Sequence, residues 1–281
     1  MRSASFYADL EARHRGGRAL IKDRLRAYLP FVLPLASQHA NSYALDLGCG
    51  RGEWLELMRE NGIAAKGVDL DASMLAFCAD SGLDAIQANA IEYIQSLSDQ
   101  SVLAVSGFHI VEHLSFQDLY LLVTHALRVL VPGGLLILET PNPENLTVGA
   151  NSFYIDPTHV RPLPWQLLTF LPEQVGFART KHLRLQEPSA IAESRTISLN
   201  DVLTSVSPDH AVIAQASLDG IHVDILLELF SKDYGVSLNE LVQRYDEQIA
   251  ALSAQVAQNA RQLKLITSPF RAVYRLFRSV F

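Results

Sequence analysis

Between residues 43 and 140 the chain alternates short, nearly unbroken apolar runs with longer stretches whose apolar positions recur every three or four residues. The short runs have the length of strands buried on both faces, and the longer period is that of a helix with one buried stripe. This pattern predicts strands over 43–47, 64–69, 85–87, 101–107 and 135–140, with helices over 53–61, 72–81, 90–96 and 116–130 between them. Gly62, Gly82 and the turn Pro132-Gly133-Gly134 fall where those helices must stop. Beyond 140 come a Pro- and Asn-rich loop, a helix over 164–175, and strands near 177–185 and 210–216 separated by a hydrophilic stretch at 187–200. Strands and helices in strict alternation imply an α/β fold: a doubly wound, seven-stranded, mostly parallel sheet.

Around this sheet domain, taken as 41–218, the expected divisions are an N-terminal helical cap over 1–40, a helical extension over 219–267 with Gly235 as a joint, and a tail over 268–281. The extension has a seven-residue pattern, with Val242, Ile249, Val256 and Leu263 in one register and Leu238, Tyr245, Leu252, Asn259 and Ile266 in the other. Heptads of this kind predict a parallel coiled coil, and therefore a homo-oligomer. The tail combines Phe270, Val273, Tyr274, Phe277 and Phe281 with Arg271, Arg275 and Arg278. Basic amphipathic helices with large aromatics lie on anionic membrane surfaces.

Composition adds limits. With 49% hydrophobic and 19% charged residues the chain reads as globular. No apolar stretch approaches the ~20 residues of a spanning helix, and residues 1–10 lack the apolar core of a signal peptide. The two cysteines, Cys49 and Cys78, make neither a disulfide framework nor a metal pattern, so a cytoplasmic protein is expected, with peripheral contact at the inner face of the cytoplasmic membrane. The net charge of −7 is uneven: 27 of 30 acidic residues but only 11 of 23 basic ones fall between 41 and 260. So acidic a body excludes nucleic acid as a general partner.

The chemistry concentrates where strands end. Ala44-Leu45-Asp46-Leu47-Gly48-Cys49-Gly50-Arg51-Gly52 is a strand running into a Gly-rich turn and then a helix, a place where ligand must approach the backbone closely. Asp69 ends the second strand 19 residues after Gly50, placed to accept hydrogen bonds from a ribose diol. These two features alone suit a nicotinamide cofactor equally well.

The run Asp46-Leu-Gly-Cys-Gly-Arg-Gly, then Gly67-Val-Asp69, then Leu130-Val-Pro-Gly-Gly-Leu-Leu-Ile-Leu-Glu-Thr-Pro141 resembles the class I S-adenosylmethionine-dependent methyltransferases in order and spacing, over about 43–185. The resemblance implies S-adenosyl-L-methionine as cofactor. It places Gly48 and Gly50 at the methionine part, Asp46 near the amino group, Asp69 with Leu70 at the ribose, and Asn89 with Ala90 at the adenine. Asn89 departs from the acid usual there, but an amide oxygen also accepts.

Gly107-Phe108-His109-Ile110-Val111-Glu112-His113 follows the fourth strand, at the sheet edge where open α/β proteins bind ligands. Transfer of a methyl group to a hydroxyl requires removal of its proton, and histidine is the commonest base, which makes His109 the first candidate. Glu112 and His113 can equally cap and pack the next helix. In Phe153-Tyr154-Ile155-Asp156-Pro157-Thr158-His159, His159 is the alternative base, oriented by Asp156, unless Pro157 and Pro162 simply make a rigid loop. Asp156 and His159 could share a divalent metal, but no further ligand is visible in the sequence and none is expected.

These two runs and the Arg-rich stretch 6–18 are also similar to methyltransferases encoded among bacterial surface-polysaccharide genes. The implied acceptor is a saccharide hydroxyl of a lipid-linked or cell-surface glycan. The alternatives are a quinone-like or other lipid hydroxyl, and a cofactor-binding scaffold that organises a polysaccharide assembly complex.

Overall fold

The computed structural model describes residues 16–278 except 40, 195 and 219–223. Two helices, α1 (Arg18–Leu25) and α2 (Leu29–Ala36), precede the first strand. Five units then alternate: β1 (Tyr43–Leu47), α3 (Glu53–Glu60), β2 (Ala65–Asp69), α4 (Ala72–Asp80), β3 (Ala85–Gln87), α5 (Ala90–Ser96), β4 (Val102–Phe108), α6 (Phe116–Val129) and β5 (Leu130–Pro141). The remainder is α7 (Leu146–Ala150), α8 (Trp165–Val175), β6 (Arg179–Leu185), α9 (Ser189–Glu193), α10 (Leu199–Thr204), β7 (Asp209–Gln215), α11 (Asp224–Ser231) and α12 (Leu238–Arg278).

The strands form one sheet in the order β3-β2-β1-β4-β5-β7-β6, with β7 antiparallel to both its neighbours and the rest parallel. Alternate residues of each strand face opposite layers. Leu45, Val105, Leu136, Leu138 and Val212 pack under α5, α6 and α8, while Ala44, Leu103, Leu135, Ile137 and Ile213 pack under α1, α2 and α3. The expected doubly wound, mostly parallel sheet is therefore the fold.

Three expectations change. Pro132-Gly133-Gly134 is not a turn between helix and strand: β5 already begins at Leu130, and the run lies inside it, where the pairing of β4 with β5 slips between Val102 and Ala104. Gly235 is not a free joint, because a Cβ there would run into the Arg184 carbonyl on β6. The packed body also continues past 218. Leu226 of α11 is buried, Phe230 meets Phe31 edge to face, and Val236 and Leu241 join Ile191, Ile197, Val202 and Val206 in a small satellite core.

That satellite core consumes the first two turns of the heptad pattern, since Leu238 and Tyr245 pack into it. Arg244 donates to the carbonyls of Ile191 and Ser194, and Gln248 makes two hydrogen bonds to the backbone of Ile197. From Ile249 onward the apolar positions are exposed, Val256 at 67% and Ile266 at 64%. The helix continues through Pro269 without a break, so extension and tail are one rod, ~60 Å long at ~1.5 Å per residue. Residues 279–281 of the amphipathic tail lie outside the described residues, and no helix among those described is long and apolar enough to cross a membrane.

Candidate active site

The first five strands are parallel, so their C-terminal ends share one edge of the sheet, and antiparallel β7 starts there, with Asp209 opposite Pro141. A cavity of about 980 Å³ opens at this edge. Its lining includes Ile21, Arg24 and Leu25 of α1.

One half is built by the ends of β1, β2 and β3. Gly48, Gly50 and Gly52 all have left-handed backbones, with φ of 69°, 51° and 77°. A Cβ on Gly48 would also press on the Ile110 side chain, 3.0 Å away. Side chains larger than hydrogen would thus strain the turn and fill the cleft. Asp69 fastens this turn: its two carboxylate oxygens accept from Gly50 N–H and Asp71 N–H, each at 2.8 Å. Asp46, 3% exposed at the end of β1, accepts from Ser106 Oγ at 2.7 Å. Leu70 is exposed at the rim and Ala90 is buried below it. Asn89 lines the cavity, but its amide oxygen caps α5 by accepting from the N–H groups of Ile91 and Glu92. Its structural duty is therefore already clear, whereas the sequence suggested only the ligand.

Glu53 was not singled out by the sequence. Only 1% exposed, it lines this half with both carboxylate oxygens buried and, among the described residues, without a hydrogen bond, the nearest described cations being Arg51 Nε at 3.5 Å and Arg18 Nη1 at 3.7 Å. Three buried or half-buried carboxylates around a glycine turn match a ligand that carries positive charge and a diol. S-adenosylmethionine, which carries both, suits these acceptors.

The other half is formed by the ends of β4, β5 and β7. His109 sits there with φ of 56°, an uncommon conformation for a non-glycine residue, which turns its ring into the cavity. Nδ1 lies 3.2 Å from Glu112 Oε1, and Nε2 lies 3.2 Å from Glu139 Oε1 and 3.8 Å from Asp209 Oδ1. Burial works against the ring's charge, but the hydrogen bonds to Glu112 and Glu139 and the charge of Asp209 outweigh it and raise the pKa well above the usual histidine range. A ring held this way between carboxylates favours its protonated form, which opposes the role of base expected for His109.

Around it, Glu112 also accepts from Thr140 Oγ1 at 3.0 Å, and the Tyr28 hydroxyl donates to Glu139. Burial pushes the Asp209 carboxyl up, to about 6, with His109 offsetting only part of the effect. Neither Glu139 nor Asp209 stood out in the sequence. Glu139 ends a strand and Asp209 begins one at the same edge, and only the antiparallel return of β7 brings them together.

The loop after β5 closes over this half. Val160 N–H donates to the Glu112 carbonyl at 2.8 Å, which ties the loop to the segment after β4. His159 is not oriented by Asp156 as expected. Its Nδ1 is 2.6 Å from the Phe153 carbonyl, while Nε2 is 3.9 Å from Asp156, whose carboxylate instead accepts from Thr158.

Similarity to known proteins agrees with this arrangement. Residues 16–190 match the family model described as a methyltransferase domain. A curated Mycolicibacterium smegmatis protein, described as an S-adenosylmethionine-dependent methyltransferase, is 31% identical over 161 residues, which cover 57% of this chain and 61% of the relative's length. The crystal structure of a SAM-dependent methyltransferase from Archaeoglobus fulgidus superposes with a TM-score of 0.65 at 33% identity, over 75% of this chain and 99% of that one. The plantazolicin methyltransferase structure, at 15% identity and a TM-score of 0.54 over 77% of this chain and 92% of that one, shares the fold. A family match over more than half the chain, and a one-third-identical structure covered almost completely, establish that the chain belongs to the S-adenosylmethionine-dependent methyltransferases of class I.

Proposed function

We propose that this protein transfers a methyl group from S-adenosylmethionine to a hydroxyl of a saccharide, part of a lipid-linked or cell-surface glycan. The observation that carries this reading is the chemistry of the second half of the cavity. Glu112, His113, Asp156, His159, Gln186 and Asp209 bring hydrogen-bonding groups to it, between apolar walls that include Pro141, Val148, Phe153 and Ile155. Such a lining can meet the hydroxyls of a sugar with its polar groups and the C–H faces with its apolar ones. The volume stands at the upper end of the ~300–1,000 Å³ typical of ligand pockets, which leaves room for an acceptor beside the cofactor.

The cofactor supplies an electrophilic methyl group on a sulfonium. Asp46, Glu53 and Asp69 hold it against the glycine turn. The acceptor hydroxyl loses its proton as its oxygen is methylated, and Asp209 is the residue assigned to receive it, being ionised yet basic near neutral pH. His109 keeps its charge, balances Glu112 and Glu139, and positions Asp209. Turnover with fractionated extracts tests the substrate class: S-adenosylhomocysteine should be released with the polysaccharide or glycolipid fraction. Release only with a glycan-free quinone or lipid fraction would reject the reading.

The exposed stripe Ile249, Leu252, Val256, Leu263 and Ile266 on α12 is assigned to pairing with a second copy of the chain. Ending the chain at Ala250 keeps the Arg244 and Gln248 anchors and should convert an oligomer into a monomer with unchanged cofactor affinity. Light scattering decides this, and equal masses per particle for both forms would exclude pairing through α12. The basic end of the same helix is assigned to anionic membrane surfaces, with oligomerisation raising its avidity.

A further inference from the structure

Two histidines outside the mechanism above, His113 and His159, meet beside Glu112. They come from segments 46 residues apart, joined by the Val160 to Glu112 backbone hydrogen bond. One ring nitrogen of each and a Glu112 carboxylate oxygen lie within 4.8 Å of one another, and the rings are 4.7 Å apart at 71°.

The hydrogen bonds fix where the protons are. His159 Nδ1 faces the Phe153 carbonyl, which can only accept, so Nδ1 carries the proton. His113 Nδ1 is 2.9 Å from Thr158 Oγ1, whose own hydrogen is given to Asp156 Oδ1 at 2.7 Å. Thr158 therefore accepts, and His113 Nδ1 carries the proton too. Each ring is left with Nε2 as an electron-pair donor. One ring nitrogen of each histidine and the Glu112 carboxylate thus gather at one point of the cavity wall, with the Asp156 carboxylate 3.9 Å from His159 Nε2.

We propose that Glu112, His113 and His159 form a binding site for one divalent transition-metal ion on the acceptor side of the cavity. Imidazole ligands fixed by hydrogen bonds from their other nitrogen, to a carbonyl and a hydroxyl, are the usual support of such an ion. Two imidazoles with one carboxylate select zinc, cobalt, iron or manganese over magnesium or calcium. At bond lengths of ~2.1 Å, tetrahedral ligands are ~3.4 Å apart, so three atoms now within 4.8 Å of one another must draw in by about an ångström as the ion binds. Three protein ligands leave positions open toward the cavity, where a bound hydroxyl would be acidified. A second group of suitable spacing is His109 with Glu139 and Asp209, where the His109 ring already lies between the two carboxylates and Glu112. The sequence showed only Asp156 and His159 close together; the other ligands come from the segment after β4.

Full-length protein stripped with a chelator and titrated with Co²⁺ tests this, by calorimetry and by the visible absorption that imidazole coordination produces. One equivalent should bind. His113→Ala and His159→Ala should each weaken binding at least ~10-fold, while Asp209→Asn should retain it. S-adenosylmethionine affinity in the same samples reports whether a variant is folded. If one is not, Zn²⁺ added to wild-type protein labelled at histidine nitrogen gives the answer, because the Nε2 resonances of His113 and His159 alone should shift. No saturation by about 1 mM Co²⁺, retention of one equivalent by the folded double variant, its loss in Asp209→Asn, or Zn²⁺ shifts confined to other histidines would overturn the proposal.

Discussion

Asp209→Asn is expected to lower turnover ~100-fold or more while leaving S-adenosylmethionine affinity within about twofold, the pattern for loss of a group that acts only as the hydroxyl proton leaves. In the wild type, kcat/KM should fall about tenfold per pH unit below about 6, where the Asp209 carboxyl becomes protonated, and the variant should lose this limb. The stability effect has the opposite sign. The carboxyl is raised in the folded state, so its favourable contribution is complete below the unfolded value near ~3.9 and is lost as pH rises through about 6. Above that pH the wild type carries a buried charge that the amide lacks, and the variant should melt no lower than the wild type. A variant that is both inactive and much less stable would indicate a merely structural Asp209.

The second large effect is at the cofactor. Asp69→Ala should weaken S-adenosylmethionine binding more than tenfold by calorimetry, because the ribose loses an acceptor pair worth ~1–3 kcal/mol and the glycine turn loses the carboxylate that accepts from Gly50 N–H. Asp69→Asn separates the two contributions. Its remaining oxygen can accept from only part of that set, so an intermediate affinity is expected. Unchanged affinity in the alanine variant would remove Asp69 from the cofactor site.

The cofactor half was legible in the sequence because its parts are local. A strand, a glycine turn and a helix N-terminus are contiguous, and Asp69 ends the very next strand. Asn89 does line the cavity, but its cap on α5 is a three-dimensional fact. The acceptor half depends on the antiparallel return of β7, which brings Asp209 beside Glu139 and His109, residues 70 and 100 positions away. No periodicity encodes such a meeting. His109 was located correctly, but its proton affinity is set by carboxylates that arrive from three other segments. The heptads of α12 do fall on one long helix, yet a repeat does not say which face it meets, and its first turns serve the satellite core through Leu238 and Tyr245.

The central claim is methyl transfer to a saccharide oxygen, and tracing an isotopically labelled methyl group tests it most directly. With labelled S-adenosylmethionine and the glycan or glycolipid fraction, the label should appear as an O-methyl ether on a sugar after hydrolysis, in amounts equal to the S-adenosylhomocysteine formed. Label recovered on a lipid ring, a nitrogen or a protein instead, or cofactor bound but never consumed with any fraction, would contradict it.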